Sequence, residues 1–194
     1  MIKFEVVSKY ENKNINLPKR GTKFSAGYDI EAAEDIIIPS IFQKLKHCLR
    51  SEKYEGNICK TLTLYENRYI DDSYSIDEIK KLVKELNLRT MVPTGLKACM
   101  DKDIVLEIHP RSSTGANCLL QLANQTGIID SDYYNNPDNE GHIFVPLINL
   151  SPYNISIKKG DKIAQGIFNK YYITSDDKVE TLRNGGFGST DNQK

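Results

Sequence analysis

The chain has no tryptophan, no net charge, and only four cysteines and three histidines in 194 residues. Each shortage removes a class of function. Lys+Arg and Asp+Glu both count 26, so no general attraction to nucleic acid or to an anionic membrane is implied, and phosphate binding must be local. Cys48, Cys59, Cys99 and Cys118 form no CxxC pair and have no matching His-x-x-His, which reads as four reduced, packed thiols. His47-Cys48 with Cys59 could begin a zinc site, but the spacing matches no standard pattern. No apolar run approaches the about eighteen residues of a membrane span, and MIKFEVVSKY is too short and polar for a signal peptide. The expectation is a soluble, cytoplasmic protein without direct nucleic-acid binding, with one core and room for a second small module.

What the chain does hold is concentrated first in Asn124 to Tyr134, NQTGIIDSDYY. Thr126-Gly127 offers a backbone that bends sharply and lets a ligand approach, because glycine has no Cβ. Ile128 and Ile129 would anchor the bend and leave Asp130 and Asp132 at its exit, where a carboxylate beside a small-molecule pocket can act as a general base. Tyr133 could cover a ring-shaped ligand. The same residues also fit a plain strand-turn-strand with solvated carboxylates.

Taken in order, Ile2 to Val7 alternates as a first strand, and Ser25-Ala26-Gly27-Tyr28-Asp29-Ile30 places small residues before a carboxylate. Ile36 to Ile38 reads as a short strand stopped by Pro39. Residues 41–88 break this rhythm and read as an inserted, partly helical subdomain. Within it, Thr61 to Tyr65 alternates like a strand, and Ser75 with Glu78 has the spacing of a capping box. The stripe Ile76, Ile79, Leu82, Val83 and Leu86 predicts a helix near 76–87 that docks on the core.

Strands return at MVPTGLKACM and DIVLEIHP, followed by Pro110-Arg111-Ser112-Ser113-Thr114-Gly115. A guanidinium, two hydroxyls and free N–H groups suit a phosphate cradle, or an N-cap cluster starting a short helix through Ala116 to Leu122, or both. NNPDNEG is a polar turn, and His142, at the entry of a strand to Leu150, reads as structural. Tyr153 to Phe168 reads as a hairpin around KKGD, and Gln165 either faces solvent or serves a polar site. Arg183-Asn184-Gly185-Gly186-Phe187-Gly188-Ser189-Thr190 reads as a flexible tail able to close over a ligand, Phe187 on a ring and Arg183, Ser189 and Thr190 on phosphate.

SAGYDI, PRSSTG, NQTGIIDSDYY, GDKIAQGIF and RNGGFGST stand in the order of the five motifs of the homotrimeric all-β dUTPases, and the chain resembles that family. The resemblance implies an all-β, jelly-roll-like barrel with residues 1–40 and 89–182 as its core, 41–88 as an insert and 183–194 as a Gly-rich lid. It implies a homotrimer whose sites draw on several subunits and which converts dUTP and water to dUMP and pyrophosphate. It implies Mg²⁺ carried on the triphosphate, with Asp29 near the metal's water shell. Asp130 matches the carboxylate that orients the attacking water. Asn124 and the Gly127 turn match the reader of the uracil edge, and Tyr133 matches the aromatic that packs on deoxyribose. Arg111, Ser112, Ser113 and Gln165 match phosphate contacts; Phe187 and Gly188 match the uracil lid, with Arg183, Ser189 and Thr190 on the terminal phosphate. The tail is one residue shorter than usual between Arg183 and the Gly pair, and YYNNPDNEGHI is longer than the usual turn, as in some phage and Gram-positive members. A dCTP deaminase shares the PRSS turn but continues differently and lacks the Phe-Gly-Ser-Thr tail. A nucleotide-gated binding protein, presenting the insert to a protein partner, is the reading of another class.

Overall fold

The computed structural model describes residues 1–50 and 75–180. Its strands are β1 (Lys3–Val6), β2 (Lys19–Arg20), β3 (Tyr28–Glu31), β4 (Ile36–Ile38), β5 (Thr90–Pro93), β6 (Leu96–Cys99) and β7 (Ile104–His109). They continue with β8 (Leu120–Leu122), β9 (Gly127–Ile129), β10 (Phe144–Asn149), β11 (Ile155–Ile157) and β12 (Lys162–Lys170). Helices α1 (Ile41–Arg50), α2 (Ile76–Leu86) and α3 (Ser112–Cys118) interrupt them. The fold is all-β and jelly-roll-like, with every strand-to-strand pair among the described residues antiparallel.

A five-stranded sheet, β2-β3-β12-β7-β9, carries most of the chemistry. Smaller sheets β5-β10-β8, β11-β4 and β1-β6 complete the architecture. Alternation along the strands turns Ile30, Leu106, Ile108, Val145, Leu147 and Ile163 into one buried cluster, which gives the hydrophobic drive for closure. Phe4, Tyr28 and Phe168 pack their rings over its flank, with centroids 5.2–6.0 Å apart.

Three expectations need correction. Residues 153–168 are not a hairpin: β11 pairs with β4 (Ile157↔Ile36), while β12 pairs with β3 and β7 in the other sheet. The KKGD turn does form, closed by Asp161 N–H to the Lys158 carbonyl, but it turns the chain from one sheet into the next. The helix after Pro110 starts at Ser112 and stops at Cys118, because Leu120–Leu122 is claimed by pairing with β10. The partly helical insert opens with a helix over residues 41–50: Ser40 accepts from the Phe42 and Lys44 amides through its hydroxyl and carbonyl oxygens. Finally, the α2 stripe does not dock on the core as a whole. Leu86 is buried, but Ile76, Ile79 and Val83 are 75%, 41% and 39% exposed.

The root of residues 41–88 is tied to the barrel by buried polar groups. Ser40 donates its hydroxyl to the Ser151 carbonyl (2.7 Å), its amide donates to Asn154 Oδ1, and buried Asn149 donates to the Ile38 and Tyr153 carbonyls. The Lys44 ammonium donates to the Asn87 carbonyl, joining α1 to the end of α2. Among the described residues, no helix is long and apolar enough to cross a membrane.

Candidate active site

Cross-strand register sets Asp29 of β3 beside Gln165 of β12, and Gln165 beside His109 at the end of β7. Pro110 ends that strand, and Arg111 stands extended (φ −87°, ψ 144°) before α3. Its carbonyl accepts from the Thr114 and Gly115 amides, so the guanidinium is free to turn back onto the sheet. Arg111 Nε lies 2.9 Å from one Asp29 oxygen and Lys162 Nζ 2.7 Å from the other. Burial pushes the Asp29 carboxyl up, but Lys162 and Arg111 outweigh it and hold the group below its ordinary value. Arg111 also makes long contacts with Ser113 Oγ (3.4 Å) and the Lys162 carbonyl (3.5 Å), while Ser112 and Ser113 stay exposed. Gln165 donates to the Pro110 carbonyl at 3.1 Å, so its amide serves a polar cluster instead of solvent alone.

Lys162 is the member the sequence reading missed. Regular pairing would set Ile163 opposite Glu31, but an irregularity between Lys162 and Ala164 leaves Ile163 and Ala164 both buried and puts Lys162 opposite Glu31 instead, from where its ammonium reaches Asp29. The only sequence signal was its place just after the Gly160-Asp161 turn.

A second group forms along β9. Gly127 is buried opposite Ile108, with the Ile108 side chain 3.2 Å from where a β-carbon would stand. Asn124 is exposed, its carbonyl accepts from the Thr126 amide, and its side-chain nitrogen lies 3.7 Å from the same point. Half-buried Asp130 opens the single turn Ser131–Tyr133, whose last amide donates to the Asp130 carbonyl at 3.1 Å. Tyr133 is buried, and its hydroxyl donates to the His142 carbonyl and accepts from Asn139 Nδ2 at 2.8 Å. His142 is structural in this arrangement: its Nε2 accepts from the Gly95 amide at 2.9 Å, and its ring lies against Phe144 and Tyr10. Burial holds its imidazole down to about 4.

Asp130 and Arg111 do not meet within one chain. Asp130 leaves β9 at the Leu106 end of β7, whereas Arg111 follows His109 at the other end. At ~3.3 Å per strand residue, Leu106 and Arg111 are on the order of 16 Å apart. Arg183, Phe187, Gly188, Ser189 and Thr190 lie outside the described residues, as do Cys59 and Thr61 to Tyr65.

Comparison with known proteins fits this geometry. The family model described as dUTPase matches residues 73–191. The chain is 38% identical over 189 residues to the deoxyuridine 5'-triphosphate nucleotidohydrolase of Lactococcus lactis, covering 96% of this chain and 95% of that one. The chain belongs to the dUTPase family. Among solved structures, the Streptococcus mutans dUTPase superposes with a TM-score of 0.62 at 30% identity, over 89% of this chain and 98% of that one. The dUTPase of phage phi11 of S. aureus, known for a species-specific insert, shares the fold at a TM-score of 0.57 and 16% identity, over 95% and 99% of the two chains. Family membership accounts for the order of the five motifs, and the sheet explains why motifs far apart in sequence reach two shared ends.

Proposed function

We propose that this protein hydrolyses dUTP to dUMP and pyrophosphate, limiting uracil incorporation into DNA and supplying dUMP for thymidylate synthesis. The observation that carries the reading is the convergence of Asp29, Arg111, Lys162 and Gln165 on one sheet end, in a chain that aligns almost end to end with a dUTP nucleotidohydrolase. In this reading Arg111, Ser112, Ser113 and Gln165 bind the phosphate chain. Asn124 and the backbone at Gly127 read the uracil edge, and a base with the wrong donors leaves buried polar groups unpaired there. Tyr133 packs on the deoxyribose. Asp130 orients a water and takes its proton as the water oxygen bonds to the α-phosphorus in line; the α,β-bridging bond breaks and pyrophosphate leaves with the electron pair. Arg183, Phe187, Gly188, Ser189 and Thr190 complete the site from residues 183–194, as a lid over uracil and the terminal phosphate.

Among the described residues no three His, Cys, Asp or Glu side chains cluster as metal ligands, and the Asp29 oxygens already face two cations. Such donors fit Mg²⁺ that arrives on the triphosphate and keeps its waters, with Asp29 one water shell out. When bound, the ion would neutralise phosphate charge. The separation of Asp130 from Arg111 supports a homotrimer in which a second copy completes each site, with residues 1–40 and 89–182 as the shared core. A cytoplasmic setting matches the substrate.

The test is pyrophosphate release with Mg²⁺ from dUTP, dCTP, dTTP and UTP in parallel. Release from dUTP alone is the expected result, and comparable release from dCTP or UTP refutes the base and sugar roles.

The exposed Ile76, Ile79 and Val83 of α2 favour a second role, in which residues 41–88 offer an apolar face to a protein partner. Replacing residues 41–88 by a short linker should leave dUTP turnover and assembly intact. Collapse of the assembly would make the segment structural instead.

A further inference from the structure

The turn after Tyr133 is held shut by a side chain from another sheet. Asn135 and Glu140 are the non-glycine residues of this turn with left-handed backbone, at φ 57° and 64°. Holding non-glycine residues there costs roughly 1 kcal/mol or more each, so the surroundings must impose the conformation. One ammonium touches both. Lys97, on β6 and only 8% exposed, donates to Asn135 Oδ1 at 2.7 Å and to Glu140 Oε1 at 2.6 Å. It also lies 5.2 Å over the Tyr134 ring and 4.0 Å from Glu5 Oε2.

The far sides of these partners are fixed as well. Glu140 Oε2 accepts from the Ser8 amide at 2.9 Å, and Tyr134 donates its hydroxyl to Glu5 at 2.5 Å. Between the clamped ends, the turn is bonded back onto Tyr133. Asn136 donates through Nδ2 to the Tyr133 carbonyl at 3.3 Å, and Asn139 donates to the Tyr133 hydroxyl at 2.8 Å. A β-carbon at residue 141 would stand 2.6 Å from the Tyr133 carbonyl, so the closed turn has no slack on that side. Tyr133 is therefore held through a loop whose two ends converge on one buried cation.

We infer that Lys97 is a positioning residue for Tyr133: by clamping Asn135 and Glu140 it fixes the tyrosine ring and so sets discrimination between deoxyribose and ribose nucleotides. The inference rests on the proposed dUTP hydrolysis and on the sugar-packing role of Tyr133. Lys97 itself touches no substrate. Its loss loosens the ring more than it weakens the phosphate or uracil contacts, so the effect falls on selectivity between sugars.

The experiment compares kcat/KM for dUTP and UTP, each with Mg²⁺, in wild type, Lys97→Met and the double variant Asn135→Ala/Glu140→Gln, with melting temperature and assembly measured alongside. The expected result is a fall in the dUTP-to-UTP ratio of about tenfold in both variants, chiefly through better use of UTP, since rejection of one added hydroxyl depends on close packing. A generic loss of stability would lower both rates together and leave the ratio unchanged. A folded Lys97→Met with a ratio within about twofold of wild type overturns the inference. If Lys97→Met does not fold, the double variant, altered at the outer side of the clamp, decides by the same ratio. Wild type that fails to prefer dUTP over UTP overturns the functional reading itself, an outcome distinct from a selective wild type with an equally selective variant.

Discussion

Gly27 and Gln165 are packed so closely that a β-carbon at residue 27 would stand 2.4 Å from the Gln165 amide oxygen and 3.2 Å from its carbon. The amide is the far end of a flexible side chain, so it can move, but moving it breaks the Gln165 bond to the Pro110 carbonyl. Gly27→Ala should therefore cost little stability, with a melting shift of a few degrees at most for a chain of this size. The KM for dUTP should rise roughly tenfold, as for the loss of one aligned polar contact. Steady-state kinetics and a thermal melt on the same preparation check this. An unchanged KM would remove Gln165 from the binding site.

The pairing of Asp29 with two cations sets the Lys162 ammonium beside Arg111, where it can be tested as a phosphate contact. Lys162→Met keeps the unbranched apolar stem of the side chain and removes its charge, leaving Arg111 alone on Asp29. The KM for dUTP should rise by roughly tenfold or more, the usual scale for a charge-assisted contact, with a smaller change in kcat. Full wild-type kinetics in this variant would confine Lys162 to a structural ion pair.

His142 should give the protein a pH-dependent stability with a defined window. Its imidazole is lowered from 6.5 to about 4, first by burial and then by Lys9, with Glu34 and Glu140 opposing. The unfolded chain thus binds a proton between those values that the folded chain refuses. The stabilisation is full above pH 6.5 and lost as pH falls toward about 4, amounting to about 3 kcal/mol. Glu140, held down to about 2 by Lys97 and the Ser8 amide, adds a loss only below its ordinary 4.5. Urea midpoints at pH 7.5, 5.5 and 4.5 isolate the histidine. The decline should flatten in His142→Gln, which keeps an acceptor for the Gly95 amide but does not titrate; an equal decline in both proteins would refute the assignment.

What the sequence disclosed was local. Ile104–His109 could be read from its alternation and its stop at Pro110, and each motif could be read from residue types a few positions apart. What it hid was pairing at a distance. KKGD has good hairpin chemistry, yet β11 and β12 are claimed by Ile36 and by β3 and β7, and turn residues carry no information about those partners. Leu120–Leu122 is apolar enough for the end of a helix, and the facing Leu147 makes it a strand. The α1 helix has its sequence signal in Ser40 followed by Ile41, Leu45 and Leu49, with lysines between them on the polar side of the pattern. Lys162 was out of reach, because its aim depends on a register irregularity. The turn NNPDNEG read as a polar turn; in the structure its Asn136 is buried and bonded back to Tyr133. Polar composition cannot distinguish a turn facing water from one satisfied by itself.

The distance between Asp130 and Arg111 along β7 leads to the most direct test of assembly. Asp130→Asn should retain nucleotide binding and lose on the order of 10² or more in turnover, since an amide cannot accept the water's proton. Arg111→Ala should also be nearly inactive, through lost phosphate binding. If each site takes Asp130 from one copy and Arg111 from the next around a closed ring, mixed assemblies of the two dead variants contain some sites with both residues intact. For random mixing in equal amounts that fraction is about a quarter, so co-refolding the pair should restore up to about a quarter of wild-type turnover. If one chain supplied both residues, every site would lack one of them, and no mixing ratio would restore turnover.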